Sequence, residues 1–183
     1  MNYQELVAAA KAFADRNDIE VSNNIDTFII LVEAKINRLL KTREQTARVY
    51  TPTVTDAEYY GLPSDYAGMR DIQLNNVLPT VEHNVTRCEY ATPEQMNVKK
   101  GQPFCGVLYY TVIGNQIQVY PPQEAGGSLE IVYYQKVPNL NSVDSENWLS
   151  ISHPDIYVSG ITAEIEIFAK NYDAGKLWYD RMS

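Results

Sequence analysis

Residues 25–40 are apolar on two opposite sides of a helix, and this constrains the chain more than any other segment. Ile25, Phe28, Ile29, Val32, Ile36, Leu39 and Leu40 recur at helical spacing and make one continuous stripe. Thr27, Ile30, Leu31 and Ala34 make a second stripe on the other side. Fully burying one large aliphatic side chain contributes roughly 1.5–3 kcal/mol. An ion pair on a helix surface contributes only about 0.2–0.5 kcal/mol. Packing therefore decides where this helix sits. One apolar face suffices for a surface helix of a monomer, so two faces call for cover on two sides.

A later segment repeats the pattern. Within residues 154–170, Val158, Ile161, Ile165, Phe168 and Ala169 form one stripe. Ile156, Gly160, Ala163 and Ile167 form another, with small residues at its centre. Two arrangements cover such helices. Each lies between a helical bundle and a sheet, or the second stripes face other copies of the chain. On the latter arrangement the subunit interface consists of Ile30, Leu31, Ala34, Ile156, Gly160, Ala163 and Ile167.

The remaining elements follow from periodicity and turn chemistry. Tyr3, Leu6, Val7, Ala10, Phe13 and Ala14 share one face of a first helix over residues 3–15, which Asn17-Asp18 breaks. Ser22 or Asn23 caps the second helix, which ends near Thr42. From about Ala47 to Val137 strand and turn signals take over, with strands predicted at 47–51, 69–74, 85–90, 107–113, 116–120 and 128–136. Gly114-Asn115 reads as a tight hairpin and Gly126-Gly127 as a second turn. Thr92-Pro93-Glu94-Gln95 is a one-turn helix start, with Thr92 as cap and Gln95 reaching back. Ser152, Pro154 and Asp155 open the third long helix, and a fourth covers 173–181. Helices, then strands, then helices do not alternate, which argues against a doubly wound sheet. The predicted class is α+β. Helices at the N- and C-termini form a bundle (1–46 and 147–183), with an antiparallel β-domain (47–146) inserted between them.

The composition, 45% hydrophobic and 21% charged in 183 residues, describes an ordinary globular chain. The net charge of −8 argues against a protein that grips phosphates. The charge is uneven: residues 33–48 carry a local +3 through Lys35, Arg38, Lys41, Arg43 and Arg48, and the rest carries −11. That basic run suits a solvated helix end near the negative pole of the helix dipole, or an acidic partner surface. No apolar run approaches the roughly 20 residues of a membrane span, so no membrane is expected. Met1-Asn2-Tyr3-Gln4-Glu5 predicts no export signal. Cys88 and Cys105 lack metal-ligand spacing and read as two reduced thiols. The Asn84-Val85-Thr86 sequon reads as coincidence without such a signal.

Chemistry is sparse. His83 and His153 are the two histidines, and His153 at a helix start reads as structural. No nucleophile motif, phosphate-binding glycine loop or metal signature occurs. Asp56/Glu58 and Asp144/Glu146 read as solvated charges. No catalytic residue, cofactor or metal is predicted. Tyrosine is abundant, at 14 residues, with adjacent pairs Tyr59-Tyr60, Tyr109-Tyr110 and Tyr133-Tyr134. Neighbours on a strand point to opposite faces, so one ring of a pair can enter a core while the other faces outward. Outward tyrosines suit protein interfaces, although tyrosine also simply favours strands.

A series of local signatures runs nearly the length of the chain. It comprises Ala34-Lys35-Ile36-Asn37-Arg38-Leu39-Leu40-Lys41-Thr42-Arg43-Glu44, Leu62-Pro63-Ser64-Asp65-Tyr66, Thr92-Pro93-Glu94-Gln95, Ile113-Gly114-Asn115-Gln116-Ile117 and Pro121-Pro122. Val132-Tyr133-Tyr134-Gln135-Lys136-Val137-Pro138, Asn147-Trp148-Leu149 and Pro154-Asp155-Ile156-Tyr157 complete it. In order and spacing it resembles the head–tail adaptor (gatekeeper, or tail accessory) proteins of short-tailed bacteriophages. The resemblance implies a non-enzymatic virion protein, assembled in the host cytoplasm. It implies a ring, usually dodecameric, beneath the portal protein, which extends the DNA channel and offers the tail a platform. Viral DNA would pass without specific binding. Family members often continue into an extended tail that reaches the portal, and past Asp180-Arg181-Met182-Ser183 that arm is expected to be shorter or absent. Within this frame the turns at Gly114, Asn115, Gly126 and Gly127 are the expected tail-facing points. The alternative function is a virion-associated cell-wall hydrolase, with an acid pair in a cleft, or a carbohydrate-binding module using exposed tyrosines.

Overall fold

Capping sets the helix starts. In the computed structural model, which describes residues 1–78, 81–103 and 106–182 (76–78 and 81–84 by backbone alone), α1 runs Tyr3–Phe13. The Asn2 side chain accepts from the Glu5 N–H, and the Glu5 carboxylate takes the Asn2 N–H in return. Helix α2 runs Ile19–Leu39. Its cap is Asp18, whose carboxylate accepts from the Val21 N–H, so the helix starts earlier than Ser22 or Asn23 would place it. Asn17-Asp18 thus both ends one helix and begins the next. At the other end Leu40 is already extended.

Contacts divide the chain into two compact units, Met1–Lys41 with Val137–Ser183, and Thr42–Lys136. The first holds α1, α2, α4 (Trp148–Ser152), α5 (Pro154–Phe168) and α6 (Tyr172–Met182). Helix α5 packs against the other four. Leu6, Ile29, Tyr157, Ile161 and Ile165 are fully enclosed there. Val137 and Leu140, at the start of the returning segment, belong to this core.

The second unit holds a seven-stranded sheet and one helix. The strands are β1 (Thr46–Pro52), β2 (Tyr59–Gly61), β3 (Tyr66–Leu78), β4 (Val81–Tyr90), β5 (Leu108–Ile113), β6 (Gln116–Tyr120) and β7 (Gly127–Gln135), in the order β1-β7-β3-β4-β5-β6-β2. Strand β7 lies between β1 and β3, with Ile131 opposite both Val49 and Ile72. Leu129 and Ile131 are fully buried, and Ile72, Leu74, Ile117 and Val119 close the same core.

This arrangement corrects the expected fold class. The chain is α+β, but its helices do not form an N- and C-terminal bundle around an inserted antiparallel β-domain; the architecture is mixed. Helix α3 (Pro93–Lys100) belongs to the sheet unit and packs on β5. Strands β4 and β5 run parallel, with Cys88 opposite Leu108 and Tyr90 opposite Tyr110. The two facts have one cause. Parallel neighbours need a long crossover, usually helical, where antiparallel neighbours need only a turn. The Thr92 capping box therefore opens a two-turn crossover helix rather than a single turn. The β5–β6 hairpin forms at Gly114-Asn115, where Ile113 pairs with Gln116 and Gly114 takes φ 59. Among the described residues no helix is long and apolar enough to cross a membrane.

Candidate functional site

The two stripes of α2 meet different surroundings. Ile25, Phe28, Ile29, Val32 and Ile36 are buried in the helical core. On the other side Ile30 is 63% and Leu31 46% exposed, and Thr27 and Ala34 are exposed beside them. Two adjacent large aliphatics thus stand in water on a capped, 21-residue helix.

The second stripe of α5 is taken up within the chain. Gly160 and Ala163 are buried, and Ile156 and Ile167 are half-buried. A Cβ at Gly160 would lie 2.7 Å from Val32 Cγ1 of α2 and 3.2 Å from Met182 Sδ. Gly175 of α6 approaches this face as closely, since its Cβ would lie 2.6 Å from Ile167 Cγ1 and 3.2 Å from the Ala163 carbonyl. The surface that Ile156, Gly160, Ala163 and Ile167 would offer a neighbour is occupied by α2 and α6. Close approach of helices needs small residues at the crossing, and these glycines supply them.

Beneath the bare face lies a polar network that sequence reasoning missed. Glu33 is 4% exposed. Its Oε1 accepts from the Leu140 N–H at 2.6 Å and from the Tyr157 hydroxyl at 3.1 Å. Asn147 Nδ2 donates to the same hydroxyl at 2.8 Å and to the Pro138 carbonyl at 2.7 Å. Burial raises the Glu33 carboxyl above its usual range, and its two hydrogen bonds act in the opposite direction. Burial pushes the Tyr157 hydroxyl far up as well. The network ties the segment returning from the sheet to α2 and α5. Its signal was a carboxylate inside the inner stripe of α2, between Ile29 and Ile36.

The expected tail-facing turns differ from each other. Gly114 and Asn115 form an exposed tip. Gly126 is exposed with φ 101, but Gly127 is already the first residue of β7. Thr53 holds that corner: its hydroxyl donates to the Glu124 carbonyl at 2.7 Å and accepts from the Gly127 N–H at 3.0 Å. Of the tyrosine pairs, Tyr59 is exposed and Tyr60 buried, as strand alternation requires. Tyr133 is buried against Tyr66 and donates to Asp65, while Tyr134 is half-buried. Both Tyr109 and Tyr110 are half-buried.

The remaining candidates for chemistry hold ordinary positions. Glu58 pairs with Lys100, whose ammonium lowers its pKa, and it also accepts from Gln118. Asp144 accepts from Asn141. His153 is exposed where α5 begins. Cys88 is buried and its thiol pushed up to about 12, which keeps it protonated and unreactive. Cys105 and the side chains of His83 and Asn84 lie outside the described residues. Among the described residues no group of three or more His, Cys, Asp or Glu is placed to hold a metal ion.

Set against known proteins, the chain matches the family described as SU10 adaptor protein over residues 1–183. No curated protein matches it.

Proposed function

The chain belongs to the SU10 adaptor protein family, and from that premise we propose that it acts as the head-to-tail adaptor of a bacteriophage particle. Adaptors of this kind are structural components of the virion. In our reading, copies assembled in the host cytoplasm form a ring beneath the portal protein. The ring extends the DNA channel and receives the tail on its far side. The supporting observation is the bare face of α2, because exposed apolar patches on a rigid element mark interaction surfaces. Ile30, Leu31 and Ala34 meet the neighbouring subunit, and the second stripe of α5 supplies none of the contact. The β5–β6 tip at Gly114-Asn115 is the tail-facing point. Viral DNA passes without specific binding, since a chain of net charge −8 has little counterion release to offer.

Mixing the purified chain with portal rings tests this. The wild type should co-sediment with the portal and appear as a ring beneath it in electron micrographs, whereas Ile30→Asp should not. Shortening the Gly114-Asn115 tip should leave portal binding intact and abolish tail attachment. A wild-type chain that never joins the portal overturns the reading. A ring formed equally well by Ile30→Asp moves the subunit contact to another face.

A further inference from the structure

The outer strip of α2 has an order along its length as well as a composition. Glu20 and Arg38 are 18 residues apart. At 3.6 residues per turn this is five whole turns, so the two lie on one line along the helix, about 27 Å apart. Asn24, Thr27, Leu31 and Ala34 fall near that line between them, with Ile30 on its flank. Both end groups are exposed, and among the described residues neither side chain makes a hydrogen bond or ion pair. Each acts only through space, Glu20 on Arg16 and Arg38 on Tyr179 and Lys35. Several other charged groups nearby are engaged. Asp18 holds Arg16, Asp26 accepts from the Tyr3 hydroxyl, and the Lys35 ammonium sits 3.0 Å from the Tyr179 ring centre. Along the strip, then, a carboxylate without a close partner is followed by an apolar middle and a guanidinium without one.

Such a strip is complementary to its own reverse. A second copy laid parallel and in register would set Glu20 on Glu20 and Arg38 on Arg38. Laid antiparallel, it sets each Glu20 beside Arg38 of the other copy, twice by symmetry, and brings Ile30 and Leu31 of the two copies together at the centre. We propose that the free protein pairs with a second copy of itself through the outer face of α2, antiparallel, with Glu20 of each copy against Arg38 of the other.

The symmetry of that pair bears on assembly. A two-fold pair uses the same patch on both partners, whereas a closed ring joins one patch to a different one. The α2 face cannot serve both at once, so pairing withholds it from ring formation until the portal supplies a stronger contact. This last step rests on the function proposed above; the pairing itself does not. One helix face is smaller than the roughly 1,200–2,000 Å² of a standard stable interface. The pair is therefore weak and reversible.

Sedimentation equilibrium on the full chain, over a range of protein concentrations and without portal, tests the pairing. The wild type should pass from monomer to dimer, with association weakening as salt is raised. Glu20→Arg and Arg38→Glu should each weaken association by about tenfold, because each creates two like-charge contacts. The double variant should restore it to within about threefold of wild type, a rescue that a folding defect does not give. A chain that stays monomeric at millimolar concentration, a dimer indifferent to both single reversals, or a double variant without rescue overturns the proposal. So does a ring formed without portal. A chain that pairs as described but never binds portal removes the adaptor reading and leaves the pairing in place.

Discussion

The outer stripe of α2 and the second stripe of α5 look alike in sequence and meet opposite fates. Both run opposite a main apolar stripe at helical spacing. The α5 stripe vanishes into its own unit because Gly160 lets α2 come within reach, and Gly175 lets α6 do the same on Ala163 and Ile167. The α2 stripe has Ile30 and Leu31 where α5 has glycine and alanine, and those side chains stay in water. A stripe centred on small residues marks a helix crossing within the fold. A stripe of large residues on a capped helix is left in water by the chain's own fold, and it is the face proposed above to meet a partner.

Four substitutions can break or sharpen that contrast. Gly160→Leu should have the largest effect. Its side chain must displace Val32 from a packed core, and overpacking of this kind costs about 3 kcal/mol or more. A melting curve near wild type would show that α5 does not need the close crossing. Glu33→Ala comes next, at about 2–3 kcal/mol in urea unfolding, because it leaves the buried Leu140 N–H and Tyr157 hydroxyl without their acceptor.

Glu33→Gln should act the other way and more weakly, raising stability at pH 7 by about 1 kcal/mol. Its amide oxygen can keep both hydrogen bonds while the buried charge disappears. The sign follows from linkage. The Glu33 pKa is raised on folding above the usual 4.5, so the folded state binds its proton more readily than the unfolded state does. The ionised group costs stability above its folded pKa, and that cost is relieved as pH falls toward 4.5. The gap between Glu33→Gln and wild type should therefore be widest near pH 7–8 and close on acidification. A gap that widens toward acid would reverse the assignment. Ile30→Asp should have the smallest effect on the monomer, less than about 0.5 kcal/mol, since the site is already in water. If it unfolds the monomer, the outer face of α2 belongs to the internal core and the contrast collapses.

Local chemistry was legible in the sequence, and long-range pairing was not. Gly114-Asn115 gave the hairpin, and Thr92-Pro93 gave the start of α3. That α3 carries a parallel crossover depends on β4 meeting β5, which no local pattern encodes. The start of α2 was misplaced because Asp18, inside the breaker, is also a better-positioned cap than Ser22. The inner and outer stripes of α2 were both visible, and only the second unit of periodicity, the glycines of α5 and α6, decides which stripe a helix covers. Glu33 lies among aliphatics in the inner stripe of α2, but nothing local points to its partner Tyr157, 124 residues away.

The place of β7 also governs how the protein is made. Among the described residues it is the last strand in chain order and the only strand beside β1. Translation moves at roughly 5–20 residues per second, so β1 waits about 4–15 s for its partner. During that wait Val49 and its neighbours present an unpaired edge, a template for joining other nascent chains. Wherever many copies of the chain are made at once, the yield of folded protein should therefore depend on how quickly residues 127–135 arrive and on what shields that edge meanwhile.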